Sequence, residues 1–591
     1  VTNPTISTDR AVRMFTLLAH ATRHTPTTAQ TVTGLLRANP RLLDAALETA
    51  RAGAGGLDHA IAAAIPALSL TADDLTRLTA AIPYPTQLLA HTAVAIAAAH
   101  LALADTDPQR AAGLATLGVC LSEVGRWAEA LTAAEQAVAL YRRLAGANPD
   151  AHEPHLAGAL TSLGNRLGEV GRRAEALTAA EQAVDIRRRL AAANPDAHEP
   201  HLADALTNLG GHLSEVGRRA EALTAAEQAV DIRRRLAAAN PDAHEPHLAD
   251  ALTNLGGHLS EVGRRAEALT ATEQAVDIRR RLAGANPDAH EPRLAGALNS
   301  LGVFLSEVGR RAEALTAAEQ AVALYRRLAA ANPDAHEPHL ALALNSLGVF
   351  LSEVGRRAEA LTAAEQAVAL YRRLAAANPD AHEPHLALAL NSLGVFLSEV
   401  GRRAEALTAA EQAVALYRRL AAANPDAHEP HLADALTSLG GRLSEVGRRA
   451  EALTATEQAV DIRRRLAGAN PDAHEPRLAL ALNSLGVFLS EVGRRAEALT
   501  ATEQAVALYR RLAAANPDAH EPDLAGALTN LGNRLGKVGR RAEALTAAEQ
   551  AVVLYRRWDA RLPGAFGDNL ATAEANLRLL RAAPGQDPDG F

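Results

Sequence analysis

Histidine pairs are the residues most able to do chemistry in this chain. His336-Glu337-Pro338-His339 places two imidazoles three residues apart, and the pair returns at His152/His155, His198/His201, His244/His247, His382/His385 and His428/His431. Two imidazoles at that spacing could share a metal ion. The HExxH zinc arrangement is absent, however, and Arg293, Arg477 and Asp523 replace the second histidine in other copies. These histidines are therefore read as turn residues of a repeated spacer, and no metal site is assigned. As a ladder they would lower stability below about pH 6.5, because protonated imidazoles repel. Cys120 is the single cysteine, so there is neither a disulfide framework nor a thiolate metal site. No histidine and acid specific to its repeat stand beside it, which makes it a buried or half-buried structural thiol rather than a nucleophile. Gly532-Asn533-Arg534-Leu535-Gly536-Lys537-Val538 has glycines and a lysine but lacks one spacer residue and the Ser/Thr of a phosphate loop. No catalytic residue and no cofactor are assigned, and the chain is read as non-enzymatic.

The elements that carry these residues repeat. Pro338 to Glu383 reads PHLALALNSLGVFLSEVGRRAEALTAAEQAVALYRRLAAANPDAHE, and Pro384 to Glu429 repeats it letter for letter. The glycine of "EVGR" or its equivalent marks a constant period from Gly125 to Gly539, without one insertion. A fixed period of this length implies an α-solenoid, in which each unit buries its apolar face on its neighbours. Hydrophobic residues are 48% of the chain but aromatics only 3%, a composition of close-packed helices with small contact residues. The formal charge is -8, with both signs interleaved along helices and no basic stripe, which argues against nucleic acid. The longest apolar run, Ala93 to Ala104, is too short to span a bilayer, and the first thirty residues show no apolar signal core. A cytoplasmic location is expected. Lys537 is the only lysine, an arginine bias that suits a high-GC bacterial gene.

Each repeat reads as two helices. In the Pro338 copy, helix A is expected from Pro338 to Val354, with Leu340, Leu344, Leu347, Leu351 and Val354 as its apolar stripe. Gly355 should end it in a left-handed conformation. Helix B is expected from about Arg357 to Ala376, with Leu361, Ala364, Val368, Tyr371 and Leu374 inward, and Asn378-Pro379-Asp380 should stop it. Ahead of the repeats, helices are expected from Ser7 or Thr8, Pro26, Pro40, Thr71 and Thr86, with breaks at Gly53–Gly56 and Pro83-Tyr84-Pro85. After them, a helix from Phe566 to Arg581 should cover the last repeat with Leu570, Leu577 and Leu580, while Glu574, Arg578 and Arg581 face water. The expected domains are residues 1–106, the ten repeats at 108–567, and a capping helix with a disordered tail at 568–591.

These repeats resemble the tetratricopeptide repeat. Leu344, Leu347-Gly348, Leu351, Gly355, Ala360 and Ala367 stand at that family's offsets. The period exceeds the family's by twelve residues, and the "LNSLG" and "DIRRRLAAANPDAHEPHLA" segments look closer to the longer repeat of kinesin light chain. The resemblance implies a right-handed superhelix with extended helices or longer inter-repeat turns. It also implies close helix approach at Gly348 and Ala360, and a concave groove lined by helix A.

The copies differ where the resemblance places that groove. One variable position holds Asp204, Asp250 and Asp434, or Leu342, Leu388 and Leu480, or glycine. Across repeats five to seven, the expected peptide-binding residues are Asn299, Val303 and Glu307, then Leu342, Asn345, Val349 and Glu353, then Leu388, Asn391, Val395 and Glu399. Side-chain amides can both donate and accept along an extended backbone, and the glutamates favour a partner with basic residues. Asp204 and Asp250 should add steering. Copies with Phe304, Phe350, Phe396 or Phe488 carry Tyr on helix B, whereas those with Arg166, His212, His258 or Arg442 carry Asp-Ile-Arg. This predicts Phe–Tyr packing in one kind of repeat and a polar or ionic pair in the other. The leading functional reading is a scaffold that binds a protein or peptide with basic and apolar residues. The alternative rests on Leu75–Ala104 before the array, which resembles the sensor half of STAND-type NTPases. In that reading the chain is a detached sensor with a separate NTPase subunit.

Overall fold

The computed structural model describes residues 8–22, 26–51, 56–82 and 89–582. It is helical throughout, with no strand among the described residues. The chain divides into two compact units, residues 1–208 with 327–338, and 209–326 with 339–591.

The first unit begins with α1 (Thr8–Thr22), α2 (Pro26–Ala38), α3 (Leu43–Arg51), α4 (Asp58–Ala64), α5 (Ala72–Ala81) and α6 (Ala90–Ala102). Phe15, Val32, Leu36, Ile61, Leu75 and Leu78 are fully buried among them. Thr71 starts α5 through a reciprocal capping box with Asp74. The expected break at Gly53–Gly56 except for Gly56 itself, that at Pro83-Tyr84-Pro85, the first residues of the Thr86 helix, and the Pro584–Phe591 tail lie outside the described residues. Helix α4 has no counterpart among the expected helices. It is seven residues long, DHAIAAA, with neither a side-chain cap nor a full apolar period to mark it.

The array runs from α7 (Asp107–Glu123) to α26 (Arg541–Arg561) as ten helix pairs. The unit cell is clearest in the second compact unit, where α19 (Pro379–Glu399) and α20 (Arg403–Ala423) are each 21 residues long. Leu386, Leu390, Leu393 and Leu397 form the buried stripe of α19 beside Phe396, and Leu407, Ala410, Val414 and Tyr417 that of α20. Each such side chain taken fully out of water contributes roughly 1.5–3 kcal/mol, the alanine less.

The long period comes from the extended helices, since the turns between them are short. Gly355 has φ 81°, its N–H donates to the Ser352 carbonyl at 2.8 Å, and Arg356 N–H donates to Leu351 at 2.8 Å. This is a Schellman ending, which needs glycine because a Cβ is strained at that φ. At the other end one residue, Asn378, joins helix B to the next helix A. Its N–H closes helix B on Leu374 at 2.8 Å, and its side-chain oxygen accepts from Ala381 N–H at 3.3 Å. Pro379 then occupies the first helical turn, where a missing N–H costs nothing. The expected start of helix A at the second proline is thus wrong. The start is Pro333 and Pro379, the second proline sits inside the helix, and the supposed spacer is helical. Its histidines are helix residues, not turn residues.

Helix α27 (Gly567–Ala582) closes the array, with Leu577 buried and Leu570 and Leu580 packed beside it. Within the second unit, segments 254 residues apart also touch. Asn470 Nδ2 donates to the Val216 carbonyl at 3.0 Å, and Asn516 Nδ2 to that of Val262 at 3.2 Å.

Candidate functional site: the variable face of helix A

Leu342, Asn345, Val349 and Glu353 lie on α17 (Pro333–Glu353) at spacings of three, four and four, which is one helical face. Leu342 is 41% exposed and Val349 38%, beside the buried stripe of Leu340, Leu344, Leu347 and Leu351. Leu388 on α19 and Val303 on α15 (Pro287–Glu307) are similarly open, and Val395 is half-buried. Between them, the side-chain oxygens of Asn299, Asn345 and Asn391 are shielded from water and accept no hydrogen bond. Such an oxygen costs free energy until a donor arrives.

Equivalent faces of successive repeats lie within hydrogen-bond reach. Asn530 Nδ2 donates to Asn483 Oδ1 at 3.2 Å, one repeat and one residue apart. The glutamates obey the same register. Ser260 donates to Glu307 at 2.6 Å, Ser306 to Glu353 at 2.5 Å and Ser352 to Glu399 at 2.6 Å. The row of carboxylates is therefore anchored, one serine per acid. In the tenth repeat Lys537 replaces the acid and donates to Ser490 at 3.3 Å.

The structure corrects the pairing expected between the two kinds of repeat. The Phe ring packs on the glycine of the preceding copy: a Cβ built on Gly302 would lie 3.0 Å from Phe350, and one on Gly348 would lie 3.0 Å from Phe396. A Cβ on Gly348 would also lie 3.3 Å from the Ala360 carbonyl, so both partners demand its small size. Tyr325, Tyr371 and Tyr417 instead stack on the second spacer histidine of the next repeat, with ring centroids 5.7 Å apart in Tyr325–His339 and Tyr371–His385, while Tyr509 is followed by Asp523. Tyr417 also donates to the Pro384 carbonyl at 3.2 Å. Burial pushes the Tyr371 and Tyr417 phenols up to about 12 and lowers the His339 and His385 imidazoles below their usual range.

The aspartates of Asp-Ile-Arg also miss their expected partners. Asp277 pairs with Arg280 and Asp461 with Arg464, each on its own helix. His258 and Arg442 likewise meet Glu261 and Glu445, three residues on. The cross-helix partner is the arginine that stands where other repeats have tyrosine. Arg279 on α14 (Arg265–Ala285) is 3% exposed and bonds Asp250 on α13 (Pro241–Glu261). Arg463 on α22 (Arg449–Ala469) bonds Asp434 on α21 (Pro425–Glu445) and takes the Pro430 carbonyl at 2.8 Å, the place of the Tyr417 hydroxyl. Asp250 also accepts from Arg293 at 3.0 Å, and Arg293 occupies the position of the stacking histidine. Burial pushes the Arg279 pKa down while Asp250 opposes it. Asp250 is thus tied to two guanidinium groups, not free for steering. The sequence signal was available: Asp co-occurs with Arg, and Leu with Tyr, 29 residues apart in the same copy.

Other expected features have simpler places. Cys120 is a buried free thiol whose pKa burial raises to about 11, which keeps it protonated. Arg356 holds Glu359 at 2.6 Å and Glu319 at 3.3 Å, all three side chains being exposed. No described helix is long and apolar enough to cross a membrane.

Ten helix pairs in unbroken succession define an α-solenoid. The chain belongs to the tetratricopeptide repeat family, whose model matches residues 110–152, 156–196, 202–242, 248–290, 294–334, 340–380, 386–426, 432–474, 478–518 and 524–557. The match indicates no catalytic family. No curated protein matches the chain in sequence. Among solved structures, BtubC (BKLC) from P. vanneervenii is 22% identical, covers 42% of this chain and 91% of its own, and superposes with a TM-score of 0.34. A putative kinesin light chain from Podospora anserina with nearly identical TPR-like repeats is 19% identical over 38% of this chain and 97% of its own, TM-score 0.29. The APC/C hetero-tetramer Cut9–Hcn1 is 15% identical over 97% of this chain and 96% of that one, TM-score 0.35. Nothing in these matches supports a link to STAND-type NTPases.

Proposed function

We propose that the chain is a non-enzymatic scaffold that holds an extended segment of a protein partner against helix A of repeats five to seven. The observation that carries this reading is the row of half-buried Asn299, Asn345 and Asn391, whose side-chain oxygens have no donor where they stand and would meet one as the amides turn outward, flanked by exposed Leu342, Val349 and Leu388. A polypeptide backbone supplies N–H donors in series whatever its sequence. Its apolar side chains would cover the leucines and valines. Glu307, Glu353 and Glu399 at the edge favour lysine or arginine in the partner, since a serine hydroxyl bond leaves the carboxylate its charge. A cytoplasmic setting, away from membranes and nucleic acid, fits this reading.

The test begins with affinity capture and mass spectrometry to obtain the partner. Calorimetry then compares the native chain with Asn345→Ala/Asn391→Ala. The double variant should lose roughly 1 kcal/mol or more per missing bond while keeping its helix content. Unchanged affinity moves the site off this face.

A further inference from the structure

Outside the array, one cluster brings two imidazoles and a carboxylate together. Asp58 opens α4 and is only 4% exposed. Its carboxylate reaches the first turn of α6, where Oδ1 accepts from Thr92 N–H at 2.8 Å and Thr92 Oγ1 at 2.7 Å. Oδ2 accepts from His91 N–H at 3.0 Å and lies 2.9 Å from His91 Nδ1. His59, the next residue on α4, is exposed, and its ring centroid lies 3.9 Å from that of His91 with a 33° tilt. One donor atom from each of the three residues lies within 4.8 Å of the others.

We propose that Asp58, His59 and His91 bind a divalent first-row transition metal ion of the zinc type. A tetrahedral ion with ligands near 2.0–2.1 Å sets its donors about 3.3 Å apart. Oδ2 and His91 Nδ1 already stand close to that separation. His59 must turn its ring to aim a nitrogen at the same point, and its exposed side chain has the room. Thr92 holds Oδ1 and so orients the carboxylate, which is the hydrogen-bonded support that metal-binding carboxylates use. The metal takes the place of the hydrogen between His91 Nδ1 and Asp58; the neutral imidazole keeps its one N–H by carrying it on Nε2, so the exchange is a change of tautomer and involves no redox change. Two imidazoles and one carboxylate suit zinc, nickel or copper, whereas magnesium and calcium prefer oxygen ligands throughout. The solvent side of His59 leaves the fourth position to water. The spacer histidines lack this arrangement, since the second of each pair in the tyrosine repeats is stacked on a ring.

The experiment titrates chelator-treated full-length chain with zinc, and separately with magnesium, by calorimetry in two buffers of different ionisation enthalpy. The chain has 22 histidines, so the variants are needed to separate this site from weak background. The expected result is one zinc site, with the same stoichiometry in both buffers, that is at least ten-fold weaker in His59→Ala and in His91→Ala, and no magnesium binding. His59→Ala should keep its helix content because the residue is exposed. Asp58→Asn also weakens the cap of α6, so it is read only beside its melting curve. Zinc stoichiometry and affinity unchanged in His59→Ala/His91→Ala, or equal binding of magnesium, overturns the proposal.

Discussion

Repeats four and eight differ from repeats six and seven at three linked positions, and the difference shows how one backbone carries two surfaces. In repeats four and eight, a buried arginine on helix B ties down an aspartate on the variable face of helix A. In repeats six and seven, a buried tyrosine takes the arginine's place and an exposed leucine takes the aspartate's. The following spacer residue changes in step, arginine after the first kind and histidine after the second. A buried guanidinium needs a carboxylate. A buried tyrosine needs only a carbonyl and a flat neighbour, which releases the helix A position to carry an apolar side chain outward. The choice inside the repeat sets what the face presents.

The largest expected effect breaks this linkage. Asp250→Leu leaves Arg279 buried without its carboxylate and should cost about 2–3 kcal/mol in chemical denaturation. Adding Arg279→Tyr and Arg293→His should restore most of it, because the triple variant recreates the other kind of repeat. A triple variant as unstable as the single one would break the comparison. Next, converting repeat six with Leu342→Asp/Tyr371→Arg should leave the fold intact and weaken partner binding by about 1.5 kcal/mol, the lower end for covering one leucine. Calorimetry decides, and full affinity after conversion would mean that the apolar face is not in contact.

A smaller effect sharpens the boundary of the difference. Gly355 and Gly447 belong to opposite kinds of repeat, have φ 81° and 82°, and have open space where a Cβ would stand. Alanine at either should cost about 1 kcal/mol, and equally in both. Unequal melting shifts would show that the linkage reaches the turn. The smallest effect is with pH. Burial holds the His339 and His385 pKa values below 6.5, so below that pH the unfolded chain binds protons that the folded one refuses. Stability should be whole above pH 6.5 and decline as pH falls through 6 and below. His339→Gln/His385→Gln should flatten that decline, and Arg293 adds nothing to it. An equally steep profile in the variant would assign the loss to other groups.

Much of this architecture is legible in the chain alone. The period, the two helices, the left-handed glycine and the apolar stripes follow from Leu344, Leu347, Leu351 and Gly355, because each obeys a local rule. The start of helix A is harder to place because two prolines five residues apart both satisfy the rule for a first turn, and only the Asn378 cap decides between them. The partners of Phe350 and Tyr371 escape sequence reasoning for a different reason. Covariation says that two positions change together, but the direction of a side chain across a helix pair depends on packing. On the variable face, sequence names the residues but not their states. That Glu353 is anchored by Ser306 while the Asn345 oxygen has no donor depends on the neighbouring repeat's position.

The single asparagine between helices has a consequence for how such a gene can change. Two helices, a three-residue turn and one joining residue fill the 46-residue period with no slack. An insertion of one codon within a helix would turn the rest of that helix by about 100° and carry its apolar stripe off its neighbours, so small length changes there are purged. Whole-unit gain or loss preserves every interface. Near-identical neighbours such as 338–383 and 384–429 are also ready substrates for unequal recombination. The array is therefore free to vary only by integers, and repeat number is the property in which descendants of this gene should first differ.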